Sequence, residues 1–261
     1  MSTTTQLIEL YNQFCDAVDT QKEIRVVFLD IHKAFDKVWH KGILYKLYLC
    51  GIRGHILNWF KDYLAERKQR VVINGQFSEW GTTQAGVPQG SVLGPLLFLL
   101  YIDDLTSAVN YSNIRLFADD TCLFIKVESR DAAADMLESD LSGISSWSDR
   151  WLVTFAPEKT KSMIISNKQD RETNRPIFFK DVQIEDVQSH TYLGLIFTSQ
   201  LSWSKHIDSI EQKARNKINM MQHLKFKSDC RSLETILKSF VMPTLFYGNE
   251  VWGGFHQNHL N

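Results

Sequence analysis

Two β-prone runs separated by a pair of carboxylates place the strongest constraint on how this chain can fold. The runs are IRLFA, which ends at residue 118, and TCLFIKV, which starts at residue 121, and Asp119 and Asp120 stand between them. Two such runs joined by two residues are typical of a tight antiparallel hairpin. We therefore expect a hairpin that exposes both carboxylates at its tip.

A second predicted strand also ends in a carboxylate. The run RVVFLD is continuously apolar up to Asp30, which is typical of a strand buried on both faces. An antiparallel sheet that pairs this strand with the hairpin would bring the three carboxylates together. Two like charges about 4 Å apart repel by roughly 4 kcal/mol at an effective dielectric constant of about 20. Such a cluster needs a cation, a shared proton or a basic partner, and carboxylate oxygens suit Mg²⁺.

Asp103-Asp104 forms another acidic pair in a similar local sequence, YIDD, but in a different setting. Apolar residues recur at helical spacing from residue 92 to about residue 108, so this pair lies near the end of a predicted helix. No strand pattern surrounds it. We therefore expect Asp119-Asp120 to be the chemical pair and Asp103-Asp104 to be structural.

Helices and hairpins alternate along the rest of the chain. Helical spacing predicts helices at about 5–19, 33–50, 54–66, 92–108, 130–151 and from 203 onward, and β patterns occur at 69–80, 162–166 and 176–198. The turn of the first of these β patterns is predicted at Asn74-Gly75. This interleaved order favours the α+β class.

Composition describes an ordinary globular protein. Of 261 residues, 44% are hydrophobic and 23% are charged, and the formal net charge is −1. A basic stretch at 205–231 holds seven Lys or Arg against three acidic residues. Four cysteines without a C-x-x-C spacing indicate neither a disulfide framework nor a zinc ribbon. The absence of a signal-peptide core and of a long apolar run predicts an intracellular protein, nuclear or cytoplasmic, without a membrane partner; the oligomeric state is left open.

Five motifs in order, spread over about residues 4–254, resemble the palm motifs of reverse transcriptases of the non-LTR retrotransposon type. They are FLDIHKAFDKVWH, QAGVPQGSVLGPLLF, FADD, PEKTKSM and YLG. The resemblance implies a palm at 30–198, made of an antiparallel sheet with packed helices, and a partial helical thumb at 199–261. Residues 1–29 would hold a palm-adjoining helix and the start of the first palm strand, with the fingers largely missing.

The resemblance also implies a reaction and a set of site residues. The reaction is the addition of deoxynucleotides from their triphosphates to a DNA primer on an RNA template, with two Mg²⁺ ions assisting. The roles implied are catalysis for Asp30, Asp119, Asp120 and Lys159; metal binding for Asp30, Asp119 and Asp120; nucleotide binding for Ile31, Phe35, Gln89 and Gly90; and primer binding for Tyr192, Leu193 and Gly194. The ring of Phe35 would exclude a 2′-hydroxyl. Related sequences often carry Tyr-Ile-Asn-Asp at the position of Asp103-Asp104, which again indicates a structural pair.

Two departures from the family pattern keep a second function open. Ala156 stands where the family usually has an asparagine before the lysine motif. The family also has a fingers region with triphosphate-binding cations before the first Asp motif, whereas this sequence has only 29 residues before Asp30, expected to hold just the palm-adjoining helix. The alternative to a polymerase is therefore a catalytically inactive remnant that at most binds nucleic acid or a protein. A nuclease or phosphatase is disfavoured, because no histidine placed as a general base lies beside either Asp motif. Asp36, four residues before His40, is interpreted as a locally bonded residue of a helix.

Overall fold

The computed structural model describes residues 2–168, 174–223 and 229–253. Its elements in chain order are α1 (Thr3–Asp19), β1 (Glu23–Asp30), α2 (His40–Leu49), α3 (Gly54–Leu64), β2 (Lys68–Gln69), β3 (Val72–Ile73), β4 (Gln76–Phe77), β5 (Gly81–Thr82), α4 (Leu93–Ile102), β6 (Asn113–Phe117), β7 (Asp120–Val127), α5 (Arg130–Trp151), β8 (Lys161–Ile165), β9 (Phe178–Phe179), β10 (Val182–Gln183), β11 (Glu185–Asp186), β12 (Ser189–Tyr192), β13 (Leu195–Thr198), α6 (Ser204–Gln222), α7 (Cys230–Ile236), α8 (Met242–Phe246) and α9 (Asn249–Trp252).

A five-stranded sheet organises the described residues, with the strands in the order β11-β8-β1-β7-β6. β1 pairs antiparallel with both β7 and β8, and β6 and β7 form the predicted hairpin, while β11 runs parallel to β8. Seven of the eight residues of β1 are buried, as its apolar sequence predicts for a central strand. Helices and hairpins around this mainly antiparallel sheet make an α+β fold, which confirms the prediction.

Each face of the sheet carries its own hydrophobic core, because alternate side chains of a strand point to opposite faces. Val27 and Leu29 belong to a core that includes residues of α2, α4 and α5. Val26 and Phe28 belong to the other core, which includes residues of α1 and of the β12–β13 hairpin. Val251 of α9 is buried in this second core, so the C-terminal helical region packs back onto the sheet.

The helices differ from their predicted bounds mainly in one place. The helix expected from residue 33 begins only at His40, because the backbone before it bonds to another loop: Gly86 donates to the Val38 carbonyl and Val87 to the Phe35 carbonyl. The helix expected up to residue 108 is α-helical to Ile102 and continues as a 3₁₀ helix over Asp103–Ala108. By contrast, α5 has the bounds that its periodicity predicts.

The basic stretch begins in α6, and residues 225 and 227 of it lie outside the described residues, as does 254–261 of the predicted thumb. The palm and thumb boundaries stay a prediction. In the part of the chain that the structure describes, no helix is both long enough and apolar enough to cross a bilayer.

Candidate active site

The central pair of strands places two of the candidate carboxylates opposite each other. Asp30 is the last residue of β1 and Asp120 is the first residue of β7, and the register pairs them directly. Directly opposed residues of an antiparallel pair have Cβ atoms about 4.5–5.5 Å apart and point to the same face. The end of the central strand therefore presents two neighbouring carboxyl groups, as the strand patterns predict.

The turn next to this pair holds the third carboxylate. Phe117 and Asp120 close the hairpin, so the two turn residues are Ala118 and Asp119 and not the two aspartates. Ala118 has a φ of +52°, in the left-handed region that favours glycine. A non-glycine residue in this region costs about 1 kcal/mol or more, and such strain is retained where the surrounding structure fixes it. Asp119 is exposed at the tip.

The three carboxyl groups interact electrostatically. The pKa of Asp120 is raised, first by burial and then by the negative charges of Asp119 and Asp30. Among the described residues, no group of three or more histidine, cysteine, aspartate or glutamate side chains is arranged to hold a metal ion unaided. Any cation bound here must therefore take further ligands from the backbone, water or a substrate.

The backbone around Asp30 leaves one such ligand available. Ile31 forms an isolated antiparallel bridge with Phe155, whose two hydrogen bonds run from His32 N to Thr154 O and from Ala156 N to Asp30 O. Neither bond uses the peptide groups of Ile31, whose carbonyl therefore points away from Phe155, toward the side of the hairpin. Ala156 thus holds Asp30 through its backbone N–H.

Lys159 supplies the positive charge nearest to Asp30. It ends a short 3₁₀ helix, Pro157–Lys159, and its Nζ lies 3.3 Å from Oδ2 of Asp30. The two side chains are 59% and 45% exposed, so this ion pair contributes at most about 1 kcal/mol. The lysine is therefore held loosely enough to turn toward another anion.

A cavity of about 190 Å³ opens beside these groups and connects them to the β12–β13 hairpin. Asp30, Asp120 and Lys159 line it on one side, and His190 and Tyr192 line it on the other. The His190 ring stacks on Phe28 at a centroid distance of 4.2 Å. Burial, reinforced by Lys161, lowers the pKa of His190 to about 4, so this imidazole is neutral near pH 7.

The loop containing Gln89 is bound along the segment that follows β1. Besides the two backbone bonds to Val38 and Phe35, the Gly86 carbonyl is 2.8 Å from His40 Nε2. The Gln89 amide nitrogen donates to Asp36 Oδ1 at 2.8 Å. Asp36 is therefore not the locally bonded helical residue expected from the sequence, because neither it nor its neighbours are helical and its partner lies 53 residues away.

Phe35 and Gly90 belong to the two segments that meet here, the one after β1 and the loop containing Gln89. The half-buried ring of Phe35 packs against Phe98 of α4 at a centroid distance of 4.7 Å. Gly90 has a φ of +79°, and a Cβ added there would meet no atom within 4 Å, so a ligand has room to approach its backbone.

A larger cavity of about 620 Å³ adjoins the same loop and carries cations that the sequence motifs did not reveal. Lys33, Arg67 and Lys68 line it together with Asp36 and Gln89. Within the described ranges, none of the three cations forms a salt bridge. The basic run ERKQR at 66–70 was the available signal, but its place beside Gln89 depends on the β2–β5 pairing.

The predicted primer-binding residues sit at the end of a hairpin. Tyr192 pairs with Leu195, and Leu193 and Gly194 form the turn with φ angles of +46° and +83°. Positive φ at both turn residues is the preferred geometry of a two-residue hairpin turn. The Tyr192 ring is buried and lies 5.6 Å from that of Phe28, which places this hairpin against β1.

The structure separates the second acidic pair from this site and gives it a structural role. Asp104 accepts hydrogen bonds from Lys46 Nζ at 2.5 Å and from Trp147 Nε1 at 2.9 Å. Asp103 is exposed at the start of the 3₁₀ helix, and neither residue lines the cavity beside Asp30.

Comparisons with known proteins agree with these motifs. Residues 2–197 match the family model described as "Reverse transcriptase (RNA-dependent DNA polymerase)". A probable RNA-directed DNA polymerase from transposon X-element of Drosophila melanogaster is 31% identical over 99% of this chain, and an RNA-directed DNA polymerase from mobile element jockey of the same organism is 32% identical over 99%. The chain spans 29% of the length of each relative.

The fold also matches a solved structure. A telomerase from Candida tropicalis, solved in complex with a fragment of telomeric RNA, superposes over 94% of this chain and 44% of its own, with a TM-score of 0.53 and 12% identity. At this identity the likeness supports the fold alone.

Proposed function

Because the chain belongs to the reverse transcriptase family, of the non-LTR retrotransposon type, we propose that it is a polymerising core that adds deoxynucleotides to the 3′-hydroxyl of a primer on an RNA template. The observation that carries this proposal is the direct pairing of Asp30 with Asp120, with Asp119 in the adjoining turn. Phosphoryl transfer is catalysed mainly by positioning and by electrostatic stabilisation. Carboxylates fixed at a strand end meet the first of these requirements.

The carboxylate end fits Mg²⁺. Magnesium keeps several waters and binds through one or two carboxylates plus substrate phosphates, so a cage of three side chains is not required. Burial and, after it, repulsion from Asp119 and Asp30 raise the pKa of Asp120, and a bound cation would offset that repulsion. The Ile31 carbonyl would add an oxygen ligand. When bound to Asp30, Asp119 and Asp120, two Mg²⁺ ions would activate the primer hydroxyl and stabilise the leaving oxygen.

The incoming deoxynucleoside triphosphate is placed beside Phe35, Gln89 and Gly90. The ring of Phe35, fixed against α4, would lie under the sugar and exclude a 2′-hydroxyl. The unpaired cations Lys33 and Arg67 are available for the triphosphate, together with Lys68. These cations lie after Asp30 in the sequence, whereas the family resemblance implies triphosphate-binding cations before it.

Lys159 and the β12–β13 hairpin complete the assignment. Lys159 is loosely paired and would move from Asp30 toward the leaving pyrophosphate, where a cation offsets developing charge. The hairpin tip, Tyr192 with Leu193 and Gly194, would hold the primer end across the cavity from the carboxylates.

Primer extension with Mg²⁺ on an oligo-dT/poly-A substrate tests the proposal. Asp119→Ala should abolish extension, because it removes a carboxylate from the metal site. Asp103→Ala is the matched control: it changes the exposed member of the other Asp-Asp pair and should extend primers like the unaltered chain. Extension above the Asp119→Ala blank supports the polymerase. Binding of the duplex without any extension would contradict it and favour the inactive remnant.

A further inference from the structure

The tip of the β12–β13 hairpin is covered by a side chain from the C-terminal region. The hydroxyl of Tyr247 donates a hydrogen bond to the Leu193 carbonyl at 2.9 Å. A Cβ added to Gly194 would lie only 2.9 Å from Cε1 of the Tyr247 ring. The glycine is therefore required twice, once for its φ of +83° and once to admit this ring.

The segment that carries Tyr247 is itself anchored. Gly248 approaches the hairpin so closely that an added Cβ would lie 2.7 Å from Cδ1 of Leu195. Val251 is buried in the core that also contains Leu195, and Trp252 Nε1 donates to the Tyr247 carbonyl at 3.0 Å. Tyr247 is itself exposed, but the buried Gly248 and Val251 fix the segment that presents its ring to the hairpin tip.

We propose that Tyr247 is a positioning residue for the primer end, an inference that rests on the proposed function. It acts through Leu193: the peptide it holds follows Tyr192, which lines the cavity shared with Asp30 and Asp120. Displacement of that peptide shifts the wall against which the primer would lie. A misplacement of about 1 Å at a reacting group reduces rate on the order of a hundredfold.

Tyr247→Phe provides the first test, because it keeps the ring and removes the bond to Leu193. We expect the dissociation constant for primer–template to rise by up to about tenfold, because the free energy of the lost internal hydrogen bond limits what the hairpin tip can pass on to primer binding. The KM for the deoxynucleoside triphosphate should stay unchanged, since Gln89 and Phe35 are untouched. Tyr111→Phe is the control, because Tyr111 is exposed and its hydroxyl has no hydrogen bond with the described residues. An unchanged dissociation constant in Tyr247→Phe would overturn the proposal.

The second test, the glycine cycle, compares the stability cost of alanine at two turn glycines, with and without the Tyr247 ring. It needs no catalysis. Gly75 stands in an equivalent turn, with Asn74 and Gly75 at φ +50° and +79°, but a Cβ there meets nothing within 4 Å. Gly75→Ala therefore measures backbone strain alone, whereas Gly194→Ala adds the clash with Tyr247. In urea unfolding, Gly194→Ala should lower the midpoint more than Gly75→Ala does. In a Tyr247→Ala background, that excess should disappear.

Failure of the proposed function and failure of the positioning role of Tyr247 would give different results. If the unaltered chain extends no primer, the proposed function is contradicted, whereas the glycine cycle still reports on the Tyr247 contact. If the unaltered chain extends primers and Gly194→Ala costs the same with and without the Tyr247 ring, only the positioning role is wrong. A Tyr247→Phe variant that loses stability but keeps its primer affinity would also reduce Tyr247 to a packing residue.

Discussion

Asp104→Ala should destabilise the protein strongly, although the Asp104 side chain is more exposed than that of its ion-pair partner, Lys46. Lys46 is only 6% exposed at its side chain, and its Nζ lies 3.8 Å from the ring centroid of Trp151 and about 5 Å from those of Tyr101 and Trp147. Burial lowers the pKa of Lys46, and Asp104 is the main group that opposes this shift. The carboxylate therefore keeps a buried ammonium charged.

The size of the expected stability loss follows from the two groups that Asp104→Ala leaves without their carboxylate partner, the buried Lys46 ammonium and the Trp147 N–H. Removing one partner of a buried ion pair costs about 3–5 kcal/mol. Asp104 is 44% exposed, so water screens part of the interaction and the expected cost is about 2–4 kcal/mol. This cost includes the unpaired Trp147 N–H. Asp103→Ala removes a neighbouring exposed carboxylate that acts on Lys46 only through its charge, without the ion-pair contact that Asp104 makes, and should change stability by less than about 0.5 kcal/mol.

The free energy of unfolding of both variants can be measured by chemical denaturation followed by tryptophan fluorescence, since Trp147 and Trp151 surround the Lys46 ammonium. The pH dependence gives a second check. The folded pKa of Lys46 lies below its unfolded value, so the unfolded state binds the extra proton between them and stability rises with pH in that window. Without Asp104 the folded pKa falls further, so the deficit of Asp104→Ala should shrink at alkaline pH.

Two results would refute this reasoning. One is a cost for Asp104→Ala no larger than that for Asp103→Ala. The other is a Lys46→Met/Asp104→Leu double variant that is as unstable as Asp104→Ala alone, because replacing a whole buried ion pair by apolar side chains is often neutral or stabilising.

Three further predictions concern the site. Gly86→Ala should lower stability by about 1–3 kcal/mol and raise the nucleotide KM, because its Cβ would lie 2.7 Å from the Asp36 carbonyl. For stability, Gly90→Ala is the control, since Gly90 has a similar φ in open space, and equal losses of stability would contradict the clash. Phe35→Val should raise ribonucleotide incorporation in primer extension, and unchanged discrimination would leave Phe35 as a core residue. Stability should fall as pH drops from about 6.5 toward 4, because the unfolded state binds a proton that folded His190 resists; a His190→Gln variant with the same acid dependence would count against this.

The sequence predicted the end of the sheet well because that part depends on local patterns. A continuous apolar run predicts a central strand, and two β-prone runs with two residues between them predict a hairpin, so the places of Asp30 and Asp120 follow from the residues around them. The same argument separated Asp104 from the site, because helical spacing surrounds it. Its partner Lys46 was not foreseen, since a buried lysine on α2 has no distinguishing local pattern.

The contacts between distant loops could not be predicted in the same way. Residues 33–39 have helical spacing, but their backbone bonds to Gly86 and Val87, and these tertiary bonds override the local preference. The partnership of Asp36 with Gln89 follows from that contact. Tyr247 and Gly194 are likewise separated by more than fifty residues, and only the packing of α9 against the second core brings them together.

The metal ions, the nucleotide and the primer of the proposed reaction would thus be held by parts of the fold with different rigidity. Asp30 and Asp120 lie at the paired ends of β1 and β7, whose central residues are buried, so the sheet fixes the proposed metal end. The nucleotide side depends on a loop bound by backbone hydrogen bonds. On the primer side, Tyr192 and Leu195 are buried in the second core, but the turn between them is covered by the exposed Tyr247. Local stability falls where buried contacts are fewer. The turn at Leu193 and Gly194 is therefore expected to be the least stable part of the proposed site, while the sheet holds Asp30 and Asp120 in register.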